Sequence, residues 1–574
     1  MELSFLIGGE AGMGVMVSGR TLSRAFVRGG YHVFATNEYP SLIRGGHNFY
    51  LARVSDRRVW SQVWRVDLLI ALDRLTVERH KCRLHEGSAT ILDSGYADVS
   101  VRGIKVIVPM TEMVEEAGAP RVLRNAAALG AAVALVGYDL DLLAAVMRDT
   151  LRGRLVEENV KVARAGYEYV VSNYDVESFG VKLKVASRGR EALFLSGNDA
   201  VALGAIRAGM KVFAAYPMTP ASPILHLLAE LQRDFDIVVL QPESELAAIN
   251  IVIGAWFAGA RAMTATSGGG FALMSEALGQ AGMMEVPVVI VLAQRQGPST
   301  GLPTYTSQAD LRFALHASQG EFPRAVIAPG DVEEAFYLTV EAFNIAERYQ
   351  MPVIVLTDKY LAESHSSVEP FDLSRARVVR GELIAGTYEG PEYRRYAITD
   401  TGVSPMAIPG TKNALVKLNS SEHDEYGFTC EDPQVVTAMN DKRFRKLELL
   451  AKEVDREGVG VKTYGEGGVA VVVWGSTKGP VLEGLAELAE EGVEAKCVQV
   501  VFLSPFPARS LRAALEGSER VVVVESNRTG QLAGLMAEVA GVRPDHVIVK
   551  YDGRPFYPEE VRERLAGVIA RGHA

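Results

Sequence analysis

Four stretches of the chain carry side chains able to hold and transform a small anionic substrate, and each directly follows an apolar, strand-like run. Tyr216-Pro217-Met218-Thr219-Pro220-Ala221-Ser222-Pro223 follows residues 212–215. Its Thr219 and Ser222 hydroxyls beside a helix start would seat a carboxylate; a proline-stiffened turn with a Ser or Thr cap is the structural alternative. Glu243-Ser244-Glu245 precedes the apolar run 246–260. A carboxylate entering a buried helix is costly unless partnered, and it suits a hydrogen bond to a heterocyclic nitrogen; an exposed acid favoured by the helix dipole is expected for one of the two glutamates. Thr266-Ser267-Gly268-Gly269-Gly270 and Arg295-Gln296-Gly297-Pro298-Ser299-Thr300-Gly301-Leu302-Pro303-Thr304 complete the set. Each loop alone has a structural explanation, but hydroxyl, acidic and cationic residues at successive strand ends outline a cleft.

The elements that must position these residues read as α/β. A strand-like run and turn at 191–198 lead into a helix ending at Gly209, and strands are expected at 212–215, 237–240, 262–265, 288–293 and 325–327. Helical stretches between them suit a doubly wound parallel sheet, whose carboxyl edge is where ligands bind. An earlier cycle opens with a strand at 2–7, a glycine-rich turn ending Gly12-Met13-Gly14, and a helix marked by Val15, Leu22, Ala25, Phe26 and Val27, with further strands at 68–72, 89–92 and 105–108. The spacing of Gly9, Gly12 and Gly14 is G-x-x-G-x-G rather than the dinucleotide pattern, so a tight packing turn or another anion pocket is the preferred reading. Arg44-Gly45-Gly46-His47-Asn48 reads as a bare turn. A third cycle has strands at 469–474, 494–501 and 521–524, the last running into Glu525-Ser526-Asn527. Four regions are therefore expected: an α/β domain over 1–180, a second over 190–370, an irregular connection over 371–465, and a compact α/β domain over 466–574, with 166–190 as a linker.

Bulk properties narrow the function. A chain of 574 residues needs several cores. The net charge of −10 comes without a basic stripe, which argues against nucleic acid. The apolar run 126–138 is too short to span a bilayer, and no basic leader opens the chain, so no membrane association and a cytoplasmic location are expected. The three cysteines, Cys82, Cys430 and Cys497, are far apart and cannot build a four-thiolate cluster; they read as small buried hydrophobes.

Together, Tyr216-Pro217-Met218-Thr219-Pro220, Glu245 with Ala247-Ala248, Thr264-Ala265-Thr266-Ser267-Gly268 and Gly297-Pro298-Ser299-Thr300-Gly301-Leu302-Pro303-Thr304 closely resemble the α subunit of 2-oxoacid:ferredoxin oxidoreductases. Residues 1 to about 180 resemble that family's γ domain, here fused ahead of α. The segment from Val469, including Glu525-Ser526-Asn527-Arg528-Thr529-Gly530-Gln531-Leu532, resembles its transketolase C-terminal-like domain.

The resemblance implies that 190–370 is a thiamine-diphosphate pyrimidine-binding domain and that Glu245 contacts the aminopyrimidine. It implies that Tyr216, Pro217, Thr219, Ser267 and Gly268 line the cofactor, that Thr219 and Arg295 hold the substrate carboxylate, and that Ser299, Thr300 and Tyr305 lie near the substrate. It further implies oxidative decarboxylation of a 2-oxoacid with coenzyme A as acyl acceptor and ferredoxin as electron acceptor. The partner is a β subunit carrying the [4Fe-4S] cluster and the diphosphate and Mg2+ site, with a dimer of αβ units as the assembly. The Gly-Asp-Gly metal motif belongs to β in that family, and only the fragments Gly330-Asp331 and Asp552-Gly553 occur here. Two departures bear on the carry-over: position 269 is Gly where the family commonly has Pro, and position 305 is Tyr where many members carry a basic residue. The substrate is expected to be 2-oxoglutarate or a broad range of 2-oxoacids, with Arg312 or a β residue as the cation for a distal carboxylate. The competing readings are an NAD-linked dehydrogenase, a single-chain thiamine-dependent decarboxylase or transketolase, and a non-catalytic assembly subunit.

Overall fold

A computed structural model of the chain describes residues 1–42, 45–151, 153, 155–185 and 191–570. Arg44 and the end of the expected linker lie outside the described residues. The chain divides into two units, one comprising Met1–Leu195, Glu363–Pro370 and Tyr557–Glu563, the other comprising Ser196–Ala362, Phe371–Phe556 and Arg564–Ala574. The fold class is α/β, with several parallel-sheet domains.

In the first unit, the strands Ile104–Val108, Ala89–Asp93, Leu68–Ala71 and Glu2–Glu10 run parallel and in that order. The sheet then turns antiparallel through His47–Ser55, His32–Glu38 and His365–Val368. This sheet is thus mixed rather than wholly parallel, and His47 opens a strand instead of closing a bare turn. The two unanticipated strands are rich in polar residues, including His32, Thr36, Asn37, Asn48 and Arg53, which conceals their alternation. The glycine-rich turn serves close packing: a Cβ on Gly14 would stand 2.7 Å from the Asn125 amide, and one on Gly8 2.5 Å from Thr76. The apolar run near residue 130 is the buried helix Arg124–Leu135. It lies backbone to backbone on Val156–Asn173, since a Cβ on Gly130 would meet the Ala163 carbonyl and one on Gly166 that of Ala127. No helix among the described residues is long and apolar enough to cross a membrane.

The second unit contains the sheet that carries the candidate site. Its strands lie in the order Ala325–Ile327, Pro352–Asp358, Val288–Gln294, Ala262–Thr266, Val212–Ala214 and Val238–Leu240, all parallel. The inner strands are buried on both faces and read as continuous apolar runs, as parallel strands covered by helices do. Phe502–Ser504 adds an antiparallel edge strand beside Ala325–Ile327. A further sheet joins Val461–Tyr464, Ala495–Val500, Val469–Trp474, Arg520–Glu525 and His546–Val549, so it begins upstream of residue 466.

The connection over 371–465 is irregular only in its first part; it ends in the 25-residue helix Pro433–Glu457. Asp432 caps that helix by accepting from the Gln434 and Val435 N–H groups, Pro433 takes the first turn, and Gly458 ends it at φ 66°. The helix escapes a hydrophobic-period reading because its buried face carries charge, with Lys442, Arg443 and Lys446 turned inward beside Met439 and Leu450. Lys442 and Lys446 donate to the fully buried Glu285 at 2.8 and 2.6 Å. Although burial pushes the Glu285 carboxyl up, the two ammonium groups and Arg395 outweigh it and hold the carboxyl far below its ordinary value. Replacing Glu285 by Gln strands two buried cations, which is expected to cost about 3–5 kcal/mol of stability in urea unfolding. A loss below about 1 kcal/mol would show that the cluster does not hold this helix in place.

Candidate active site

In a parallel sheet every strand delivers its carboxyl end to the same edge. Because Val288–Gln294, Ala262–Thr266, Val212–Ala214 and Val238–Leu240 are consecutive neighbours, the loops that follow them stand side by side. The order along the edge is therefore Arg295, then Ser267 and Gly268, then Tyr216 to Thr219, then Glu245.

Of the two candidate glutamates, Glu243 is exposed and Glu245 is 3% exposed. Ser244 caps the helix Glu245–Phe257, its hydroxyl accepting from the Ala247 N–H at 3.3 Å, which turns the first helical side chain inward. One oxygen of Glu245, Oε1, is buried and has no hydrogen-bond partner among the described residues. Buried polar atoms rarely stay in that state, so the site calls for a donor from outside this chain. Gly270 lets this carboxylate and Thr266 pack close against the helix start, since a Cβ there would lie 2.1 Å from Thr266 Oγ1 and 2.6 Å from Glu245 Oε1. The hydroxyls of Ser267 and Thr264 are likewise buried and unpartnered. A nitrogen heterocycle with an N–H facing Glu245 fits this donor set.

The neighbouring part of the edge is cationic. Arg295 Nη1 donates to the Thr219 carbonyl at 2.9 Å, joining two residues far apart in sequence. The Thr219-Pro220 turn is held in turn by Asn198, whose amide donates to the Pro220 carbonyl at 2.8 Å. Among the described residues Arg295 has no ion pair and donates to a backbone carbonyl, so the guanidinium retains donors for an anion. Burial pushes its proton affinity down, against the pull of Asp310.

Asp310 was not among the candidates, yet it faces this site: a Cβ on Gly268 would stand 2.6 Å from its Oδ2. Its backbone N–H donates to Gln294 Oε1 at 2.9 Å. Burial raises the Asp310 carboxyl to about 6, partly offset by Arg295. An acid ahead of a short helix was the one sequence signal available, and it does not distinguish a cap from a site residue.

The remaining candidates are dispersed. Tyr216 is exposed and Pro217 half-buried at the mouth of its loop, while Ser299 and Thr300 are exposed at a loop tip, Ser299 at φ 52°. The Arg554 guanidinium lies 4.0 Å over the Tyr305 ring. Arg312 pairs with Glu538 at 2.6 Å, which engages the guanidinium proposed for a distal carboxylate. Gly269 occupies the second position of the helix Gly268–Met284 with open space around it, a first-turn place where proline is also tolerated.

The segment linking Tyr305 to Arg312 is clasped by the sheet domain that follows. Gln308 is fully buried; its amide donates to the Trp474 carbonyl, and its Oε1 accepts from the Ser526 N–H. Asn527 donates to the Gln308 carbonyl, and Gln531 binds both Ala309 and Arg312. Thr306 donates to Asp358, a fully buried carboxylate at the next strand end.

Both fragments of the metal motif make local contacts. Asp331 caps its helix by accepting from the Glu334 N–H and pairs with Lys478, and Asp552 accepts from the Arg554 N–H. Among the described residues no cluster of three or more His, Cys, Asp or Glu could hold a metal ion. Of the cysteines only Cys497 is buried, whereas Cys82 is exposed and Cys430 intermediate, contrary to the expectation for all three.

Three regions of the chain match known protein families. Residues 203–442 match the family described as pyruvate flavodoxin/ferredoxin oxidoreductase, thiamine diphosphate-binding; residues 4–169 match the pyruvate ferredoxin/flavodoxin oxidoreductase family, and 468–561 its core domain II. The α subunit of 2-oxoacid:ferredoxin oxidoreductase from Saccharolobus solfataricus is 35% identical, the alignment covering 100% of this chain and 98% of that protein. The chain belongs to the 2-oxoacid:ferredoxin oxidoreductase α-subunit family. A 2-oxoglutarate synthase subunit from Archaeoglobus fulgidus is 38% identical over 66% of this chain and 100% of its own length. The solved 2-oxoglutarate:ferredoxin oxidoreductase from Magnetococcus marinus, with 2-oxoglutarate, coenzyme A and succinyl-CoA bound, superposes with a TM-score of 0.91 at 32% identity over 99% of each chain.

Gly270→Ala tests the packing directly. The added methyl group collides with Glu245 Oε1 and Thr266, so thiamine diphosphate affinity is expected to drop about tenfold or more while the fold persists, measured by calorimetry on the assembled enzyme. Unchanged affinity would show that Gly270 does not shape the pocket.

Proposed function

We propose that this chain supplies the pyrimidine-recognising and substrate-carboxylate-recognising half of a thiamine diphosphate site that a β subunit completes. Carrying the reading is one observation: Glu245 Oε1 is buried without a donor, on the same sheet edge as Arg295 and Thr219.

Thiamine diphosphate, when bound, supplies the nucleophilic carbon and electron sink that let a 2-oxoacid lose carbon dioxide. This chain's residues prepare for that chemistry. Glu245 accepts a hydrogen bond from the pyrimidine nitrogen, in a pocket whose burial strengthens the contact. Arg295 takes the substrate carboxylate through charge-assisted hydrogen bonds, and Thr219 presents its hydroxyl beside it. Tyr216, Pro217, Ser267 and Gly268 form the walls, and Ser299, Thr300 and Tyr305 border the entrance for the rest of the substrate. The overall reaction converts a 2-oxoacid and coenzyme A to acyl-CoA and carbon dioxide, with two electrons leaving one at a time to ferredoxin.

The diphosphate, Mg2+ and [4Fe-4S] cluster are assigned to the β subunit. The use made of Asp331 and Asp552 in caps, turns and an ion pair supports that division. We assign 1–180 as a γ-like domain, 190–370 as the pyrimidine-binding domain, 371–465 as the connection and 466–574 as the transketolase-like domain, in a dimer of αβ units acting in the cytoplasm. A substrate range of 2-oxoglutarate or broader 2-oxoacids follows from the relatives' activities. The engagement of Arg312 by Glu538 leaves a distal carboxylate to be met by β.

Glu245→Gln in the reconstituted αβ enzyme is expected to lower coenzyme A-dependent reduction of a viologen dye by about 100-fold or more. Thiamine diphosphate binding should weaken as well. Arg295→Gln is expected to raise KM for the 2-oxoacid roughly 100-fold. Wild-type rates for Glu245→Gln would leave the chain as an assembly subunit and contradict the proposal.

A further inference from the structure

Asp310 stands as the N-cap of the helix Leu311–His316, yet its side chain makes no capping hydrogen bond. An aspartate in that position ordinarily accepts from an N–H of the first turn. Here the carboxylate lies against Gly268 instead, and no described group donates to its oxygens. Gln294 Oε1 grips the Asp310 backbone at the strand end that bears Arg295. The result is a carboxylate within the field of Arg295 without an ion pair to it.

We propose that Asp310 is a positioning residue acting through Arg295: it balances the guanidinium in the empty site and opposes the substrate carboxylate in the filled one. The inference rests on the reading of Arg295 as the carboxylate anchor. An ionised Asp310 weakens the hold of Arg295 on an incoming 2-oxoacid because two carboxylates then share one cation. That opposition is relieved as the substrate carboxylate departs as neutral carbon dioxide, so part of the binding free energy is released along the decarboxylation coordinate rather than in the bound state. When carbon dioxide has left, Asp310 again balances Arg295.

Other charges do not compete for this role. The segment Gly268–Gly270 packed against Asp310 carries no titratable side chain, and Gln294 is neutral. On its own helix Arg312 is engaged by Glu538, with His316 near that same pair. Arg295 is the charge that acts on Asp310, and burial keeps its carboxyl near 6, where it is partly neutralised in mildly acidic solution.

The test uses the assembled αβ enzyme and oxamate, an unreactive isostere of a small 2-oxoacid, with binding followed by calorimetry between pH 5 and 8. In the wild type, oxamate affinity is expected to fall about tenfold as pH rises through the Asp310 titration. The isosteric Asp310→Asn variant should bind with the wild type's low-pH affinity at every pH. In turnover at pH 8, the variant should show KM and kcat lowered together by about fivefold, with kcat/KM nearly constant, the signature of a lost ground-state opposition. An Asp310→Asn profile that tracks the wild type, or a wild type with no pH dependence, overturns the inference even if the variant proves hard to prepare. Arg295→Gln separates the layers. If it loses oxamate while Asp310→Asn tracks the wild type, this inference alone fails; if it binds oxamate normally, the Arg295 reading itself fails.

Discussion

The organisation of the site depends on a parallel register. Four neighbouring strands, Val288–Gln294, Ala262–Thr266, Val212–Ala214 and Val238–Leu240, end on one edge. Residues separated by tens of positions therefore become neighbours without any long loop having to find its place. The carboxyl edge also puts helix starts beside the same line, which favours anionic groups there. Within that frame one atom carries the proposed chemistry. Glu245 Oε1 is buried with no described residue donating to it, and it packs close to Gly270, where a side chain would not fit. In the proposed αβ enzyme the bound cofactor would satisfy it.

The sheet domain that follows is less a separate module than a support for the site. Gln308, held by Trp474, Ser526 and Asn527, fixes the segment that carries Tyr305 and Asp310. The motif beginning at Glu525 thus packs on that segment. Asn527 donates to Glu525 as well, and burial raises the Glu525 carboxyl above its usual range. A second tie is the ion cluster in which Lys478 binds Asp331 and Glu334, two acids at the start of the helix Val332–Tyr349. These contacts account for the local fate of Gly330-Asp331, which resembles part of a metal motif and serves as a helix cap.

Much of this was legible in the sequence, for physical reasons. Parallel strands covered on both faces read as unbroken apolar runs, and the loops after them advertised Thr219, Glu245, Ser267 and Arg295 by residue type alone. The same logic missed Pro352–Asp358, an apolar run directly after a long helix, and the polar strands His32–Glu38 and His47–Ser55. The helix Pro433–Glu457 was hidden because its inward face is built from lysines and arginine whose partner, Glu285, lies far away in the chain. Its cap signals, Asp432-Pro433 and Gly458, were nonetheless in view. Which of Glu243 and Glu245 is buried follows from one capping bond by Ser244. Asp310 was not legible, since its significance comes from Gly268 and Arg295, which only the folded sheet brings to it.

In the proposed enzyme thiamine diphosphate is held jointly, its pyrimidine by this chain and its diphosphate by another. The most direct measurement is calorimetric titration of thiamine diphosphate with Mg2+ into this chain alone and into its complex with the β subunit. Saturable binding is expected in the complex, with a Kd of about 10 μM or tighter, and none up to about 1 mM for the chain alone. Tight, Mg2+-dependent binding to the chain alone would contradict it, because the diphosphate would then have to be held by residues of this subunit.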